Sequence, residues 1–170
     1  MAHDLSYFRP SKLWRRMSPE RRVTAAELFW MDEDSADIQA EAISAISAHM
    51  KFRTKSVLGL SAEKRTKYLA TLPAISDSIA SRALVSYHLE RQRPMMGAFL
   101  DLLGITHDNG LISDTDVQKP DESKLRAAAT ELASRYPAED VSLYFATLVS
   151  QDPDTWGQLA DVPEMAASAG

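Results

Sequence analysis

One short segment of the sequence brings together side chains that could bind an anion or donate a proton to it. Residues 87–94 read Tyr-His-Leu-Glu-Arg-Gln-Arg-Pro, between otherwise apolar helical stretches. On a helix, positions three and four apart share a face, so Tyr87 and His88 would both lie near Arg91. Arg91, with Arg93 close behind it, could then clamp a carboxylate or phosphate while His88 donates a proton. The alternative is a polar helix end, where Arg and His complement the helix dipole, and the sequence favours that alternative.

A second candidate pairs an imidazole with a carboxylate. His107 and Asp108 precede Asn109-Gly110, and the pair could work in acid–base catalysis or form half of a metal site. A tight turn chosen for its Asn-Gly geometry is the favoured interpretation. If the helices that meet at Arg93 pack antiparallel, a rise of 1.5 Å per residue puts His107 about 15 Å from that turn. We therefore do not expect Arg93 and His107 to cooperate in one hairpin.

The spacing of the remaining residues argues against the common catalytic and metal-binding motifs. The four histidines, His3, His49, His88 and His107, show no spacing that places two ligands on one helical face. The chain has no cysteine, and its six glycines form no G-x-G loop. The sequence therefore predicts no cofactor and no metal, and it favours a protein without catalytic activity.

The N-terminal segment is basic and aromatic, which is the best case in the chain for a phosphate-bearing or acidic partner. Tyr7, Phe8 and Trp14 are interleaved with six basic residues, namely Arg9, Lys12, Arg15, Arg16, Arg21 and Arg22. A charged run is usually a solvated face, and the aromatic residues could equally anchor the segment to the core. An acidic partner within this chain or in a neighbouring copy is favoured over nucleic acid.

Charge and hydropathy limit the classes of protein that remain. The net charge is −5, and residues 1–67 hold twelve Lys/Arg against nine Asp/Glu, whereas residues 68–170 hold seven against fifteen. A dedicated nucleic-acid binder should be basic overall or carry one concentrated basic face. No segment reaches the roughly 18 apolar residues of a membrane span. We expect a cytoplasmic protein without a membrane anchor, and nucleic acid is not the favoured partner.

Caps and 3.6-residue periodicity predict an all-α fold of about eight short to medium helices. The predicted helices cover residues 18–31, 38–58, 61–72, 77–92, 94–103, 122–135, 138–150 and 153–160. The predicted N-caps are Ser18, Ser61 and Ser76 or Asp77, and the predicted left-handed stops are Gly59 and Gly104. The second helix should turn inward a stripe formed by Ile38, Ala42, Ala45, His49 and Phe52. Residues 105–121 are the longest predicted loop.

An internal match suggests a duplicated helical unit. Residues 61–72 and 137–148 are identical at six of twelve positions, which corresponds to a shift of 76 residues. The predicted organisation is an N-terminal arm over 1–17, one all-α domain over 18–162 with pseudo-repeats 18–93 and 94–162, and a disordered tail over 163–170. Each repeat would contribute four helices to an orthogonal bundle or a short repeat array.

Together these features favour a helical interaction or scaffold protein that binds a protein partner or self-associates. The first alternative is a small-ligand binder or enzyme that uses Tyr87, His88 and Arg91. The second is contact with nucleic acid through the basic N-terminal segment.

Overall fold

Helices dominate the computed structural model, which describes residues 5–113 and 117–165. The chain forms two compact units, an N-terminal unit of residues 10–90 and a C-terminal unit that joins residues 5–9 to residues 91–165. The only strands in the described residues are two of two residues each. The predicted all-α class is therefore confirmed.

The N-terminal unit is built from helices whose starts the sequence marks with serine. Its helices are α1 (Pro10–Arg16), α2 (Pro19–Met31), α3 (Ala36–Met50), α4 (Thr54–Leu58), α5 (Ala62–Thr71) and α6 (Asp77–Arg91), the last of which ends in the C-terminal unit. The hydroxyls of Ser18, Ser61 and Ser76 accept hydrogen bonds from backbone N–H groups three residues further on. Each bond satisfies one of the free donors of a helix start, so the predicted N-caps are confirmed.

The predicted helix over 38–58 is wrong in two respects. It breaks into α3 and α4 at Lys51, which takes the left-handed conformation at φ 57°, whereas Gly59, the predicted left-handed stop, has φ −81°. The buried face of α3 is Ala42, Ile43 and Ile46.

The rotation of α3 has a visible cause at its N-terminal end. The Gln39 amide donates to the carbonyl oxygens of Phe29 and Asp32 at 2.9 and 2.8 Å. These bonds tie the start of α3 to the end of α2, with Ala42, Ile43 and Ile46 on the buried side of the helix. His49, predicted as part of the buried stripe, is consequently exposed, and so is Phe52.

The C-terminal unit contains a hairpin within the predicted loop. Its elements are α7 (Arg93–Leu103), β1 (His107–Asp108), β2 (Leu111–Ile112), α8 (Glu122–Arg135), α9 (Ala138–Gln151) and α10 (Pro153–Trp156), with 3-10 helices at Leu5–Phe8 and Gly157–Asp161. Gly104 takes the left-handed position at φ 71°, and the Ile105 N–H donates to the Leu100 carbonyl at 2.9 Å. That is the predicted helix stop. The hairpin turn uses Asn109 and Gly110 at φ 48° and 89°, as a two-residue turn of this type requires.

The core of the C-terminal unit is an aromatic cluster around Phe99. The Phe99 ring lies 4.9 Å from Phe145, 5.7 Å from Tyr144 and 6.0 Å from Trp156, measured between ring centroids. Every residue of α9 from Asp140 to Val149 is buried. Two of its hydroxyls bond to carbonyl oxygens, Thr147 to Leu143 and Ser142 to Met165.

Two helix starts in the structure recur at the 76-residue spacing of the predicted repeat. α5 begins at Ala62 and α9 at Ala138, and α6 begins at Asp77 and α10 at Pro153. Leu72 and Leu148 are both buried, although Tyr144 is buried and Tyr68 only half-buried. In the described residues that lie 76 positions after α3, β2 and the start of α8 take the place of a long helix. The duplication stays a prediction, and residues 166–170 of the predicted tail lie outside the described residues.

Candidate functional site

The predicted site at residues 87–94 combines buried and exposed side chains. Tyr87 and His88 are each 4% exposed, and their rings meet edge to face at 5.9 Å. Arg91 is exposed at the last position of α6. An anion could reach the Arg91 guanidinium from solvent, but the imidazole of His88 is covered. Joint use of these three side chains stays a prediction.

Two hydrogen-bond partners fix the tautomer of the neutral His107 ring. Its Nδ1 accepts a hydrogen bond from the Gly110 N–H at 3.0 Å, and its Nε2 lies 2.7 Å from the Asp101 carboxylate. Because Nδ1 accepts, the proton of the neutral ring sits on Nε2 and is donated to Asp101. The imidazole pairs with Asp101, and its adjacent residue Asp108 is exposed. In this arrangement neither ring nitrogen is available as a general base.

The expectation that Arg93 lies far from the His107 turn is wrong. The Arg93 Nη1 donates to the Asn109 carbonyl at 3.1 Å. After Gly104 the chain doubles back along α7, so the hairpin tip lies beside the first turn of that helix. A Cβ placed on Gly110 would be 2.9 Å from the Arg93 carbonyl oxygen, and one placed on Gly97 would be 3.1 Å from the His107 ring. Two glycines therefore allow the hairpin to lie against α7.

The predicted basic patch divides between the two units. Arg9 belongs to the C-terminal unit, and the other five residues of the patch, Lys12, Arg15, Arg16, Arg21 and Arg22, belong to the N-terminal unit. Arg15 donates to the Pro73 carbonyl at 3.0 Å, and the Arg21 side chain donates to the Ser18 hydroxyl. Phe8 and Trp14 are buried. These aromatic residues anchor the described part of the arm, in agreement with the alternative weighed from the sequence.

The N-terminal unit contains a cleft that the sequence did not reveal. It lies where the C-terminal end of α2 faces the second half of α6 and has a volume of about 460 Å³. We call it the acidic cleft, and it is lined by Leu28, Met31, Asp32, Glu33, Asp34, Arg82, Val85, Ser86, Leu89 and Glu90. The two walls are some 50 residues apart in sequence, so no local pattern could join them.

One charged network joins the two walls of the acidic cleft. Arg82 donates to the Asp32 carboxylate through both Nε and Nη2, and its Nε also contacts the Ser35 hydroxyl. The Ser35 hydroxyl donates to Asp32 in turn, and the Asp34 N–H donates to the second Asp32 oxygen at 3.0 Å. These donors, chiefly Ser35 and then the Asp34 N–H and Arg82, lower the pKa of Asp32 below its ordinary value. The network ties the turn after α2 to α6.

The rim of the cleft carries negative charge that the network does not neutralise. Within the described ranges, the carboxylates of Glu33, Asp34 and Glu90 form no ion pair. The floor is apolar, with Leu28, Val85 and Leu89 half-buried and Met31 68% exposed.

The cleft also contains a polar group suited to a ligand. Ser86 is 6% exposed and lines the cleft. Its hydroxyl bonds to no side chain or carbonyl in residues 5–113 or 117–165. A ligand in the cleft would therefore meet apolar surface, one free hydroxyl and three carboxylates.

The Asp32 network predicts a pH-dependent stability. Because the folded-state pKa of Asp32 is depressed, its contribution is present above the unfolded pKa of about 3.9 and is lost as the pH falls through the lower folded value. Asp32→Asn should lower the free energy of unfolding by about 1 kcal/mol at pH 7, since the pair is partly exposed. At pH 2 the difference between variant and wild type should be smaller. Urea denaturation at both pH values measures this.

Glu33→Gln is the matched control for that experiment, because it removes the same charge from the adjacent residue, which has no ion-pair partner in the described chain. It should change stability little at either pH. An Asp32→Asn variant as stable as wild type at pH 7 would show that the network does not hold the turn.

Comparisons with family models, curated proteins and solved structures found no significant match for the chain. In the part of the chain that the structure describes, no group of three or more His, Asp or Glu side chains is placed to hold a metal ion. No helix among those residues is long and apolar enough to cross a membrane.

Proposed function

We propose that the chain is a helical interaction module whose acidic cleft binds a basic, amphipathic segment of a protein partner. The observation that carries this proposal is the combination of an apolar floor with three carboxylates at the rim that lack partners in the described residues. Apolar side chains of the partner would cover Met31 and Leu89, and its Lys or Arg residues would reach Glu33, Asp34 and Glu90. Such complementary charge favours encounter and sets specificity, while the apolar contacts supply affinity.

The dimensions of the cleft support a peptide segment over a single small cation. A volume of about 460 Å³ falls in the range of sites that enclose several side chains or a drug-sized ligand. A lone cation would leave the apolar floor in water. A helix or turn with basic residues beside Leu or Phe would satisfy both parts of the cleft, as amphipathic helices do in apolar grooves. The lack of cysteine in the chain is in keeping with a cytoplasmic setting for this module.

A synthetic peptide tests the proposal directly. A fluorescein-labelled Lys/Leu amphipathic peptide of about 12 residues should bind the full chain, with affinity that falls as salt rises, whereas its Glu/Leu counterpart should not. The reversal Asp34→Lys with Glu90→Lys should weaken binding about tenfold or more, because it places like charges against the peptide. Fluorescence anisotropy gives the affinities, and the methyl NMR signal of Met31 should shift only with the Lys/Leu peptide.

The control reverses two carboxylates elsewhere, Glu27→Lys with Asp154→Lys, which makes the same change in net charge. Both residues are exposed, and neither lines the cleft. This variant should keep most of the affinity. Equal losses in both variants would mean that only overall charge matters, and equal binding of the two peptides would remove the proposed recognition.

A further inference from the structure

One exposed segment of the N-terminal unit has the charge and the apolar side chains that the acidic cleft would bind. We call residues 51–58 the basic knob. Every residue in it is exposed except Val57, which is buried. Its charged residues are Lys51, Arg53 and Lys55, with no acid among them. Phe52 is 39% exposed and Leu58 60% exposed. The knob thus combines positive charge with exposed apolar side chains.

Local contacts hold the knob in a defined shape. The Phe52 N–H donates to the Ser47 carbonyl at 3.1 Å, and the Ser47 hydroxyl donates to the Phe52 carbonyl. The Phe52 ring meets Tyr68 edge to face at 6.1 Å, which braces it against α5. Buried Val57 fixes α4 to the unit. Little ordering would therefore be needed for the knob to dock.

The geometry of α3 prevents the knob from filling the cleft of its own chain. The acidic cleft includes residues just before the start of α3, and the knob begins at its C-cap. Fifteen helical residues separate these ends, a distance of about 22 Å along a rigid helix. The knob and this edge of the cleft therefore lie at opposite ends of one rigid helix, so the cleft of another molecule is the one that the knob can reach.

We infer that the occupant of the acidic cleft is the basic knob of a second copy of this chain. The inference rests on the proposed function of the cleft and names its partner. Phe52 and Leu58 of one copy would lie on the apolar floor of the next, and Arg53 and Lys55 would pair with Glu33, Asp34 or Glu90. The contact joins two different surfaces, so it is heterologous, and each added copy leaves one free knob and one free cleft. Head-to-tail chains or closed rings follow.

Two charge reversals test the head-to-tail contact. The knob variant, Arg53→Glu with Lys55→Glu, and the cleft variant, Asp34→Lys with Glu90→Lys, should each be monomeric in sedimentation velocity. For the wild type, the mean mass of the assemblies should rise with protein concentration and fall with added salt. A mixture of the two variants should form a 1:1 dimer only, since the cleft variant keeps its knob and the knob variant keeps its cleft. The control, Lys64→Glu with Lys67→Glu, reverses two other exposed charges and should assemble like wild type.

The same samples separate failure of this inference from failure of the proposed function. A wild type that is monomeric at every concentration but binds the Lys/Leu peptide would overturn self-association and leave the cleft as a site for another protein. A monomer that binds neither would overturn both. Association that survives in the cleft variant, or in which the mixed variants fail to pair, would show that a different surface joins the copies.

Discussion

Replacing Phe99 by alanine should lower the free energy of unfolding by about 3–5 kcal/mol, because the side chain is fully buried and its loss leaves a cavity. The Phe99 ring contacts Phe145 and Tyr144 on α9 and Trp156 on α10. Three helices, α7, α9 and α10, would lose packing at once, and the structure around such a cavity relaxes only partly. Urea denaturation followed by circular dichroism measures the loss, provided that the slope with denaturant is unchanged.

Phe99→Leu is the control that isolates the cavity from the aromatic contacts. It keeps much of the buried volume and should cost less than the alanine variant. If Phe99→Ala costs less than about 1 kcal/mol, the aromatic cluster is not the core of the C-terminal unit.

Gly110→Ala should destabilise the protein by roughly 2–5 kcal/mol through two separate effects. The φ of 89° is unfavourable for any residue with a Cβ, and the new methyl group would lie 2.9 Å from the Arg93 carbonyl oxygen and 3.0 Å from the Met96 Cβ. The first obstacle is backbone, so it cannot rotate away. We expect the hairpin to detach from α7, with loss of the His107 hydrogen bond to Gly110. Thermal unfolding and the NMR shift of the His107 ring report both changes.

Gly157→Ala provides the matched comparison, because outside its immediate chain neighbours no atom lies within 4 Å of the position that its new Cβ would take, and its φ of −54° is helical. That variant should be neutral or more stable by up to about 1 kcal/mol. Similar losses in the two variants would mean that the hairpin is not packed against α7 as described.

Local chemistry allowed much of the helix pattern to be predicted. Ser18 and Ser61 each cap a helix through a bond to a backbone N–H three residues on, and this motif is complete within four residues of sequence. Gly104 ends α7 with a bond that spans five residues. Such signals need no tertiary contact, which is why the predicted bounds of these helices lie within a few residues of the observed ones.

The features that could not be predicted from the sequence depend on tertiary contacts or lack a local sequence signal. The left-handed Lys51 carries no glycine or asparagine signal. Gln39, whose amide bonds to the end of α2, has no sequence feature that distinguishes it from an ordinary surface residue. The hairpin strands have two residues each, too few for an alternating pattern. The acidic cleft required Asp32 and Arg82 to meet across 50 positions.

The Gln39 amide and the Asp32–Arg82 pair have a kinetic consequence for the cleft. They tie the end of α2 to α3 and to α6 before any ligand arrives, so the two walls need not rearrange on binding. The association rate constant should then be set by diffusional encounter, and attraction between opposite charges should raise it. Competing ligands would differ mainly in their dissociation rates. Those rates would depend on how well the apolar side chains of each ligand cover Met31 and Leu89.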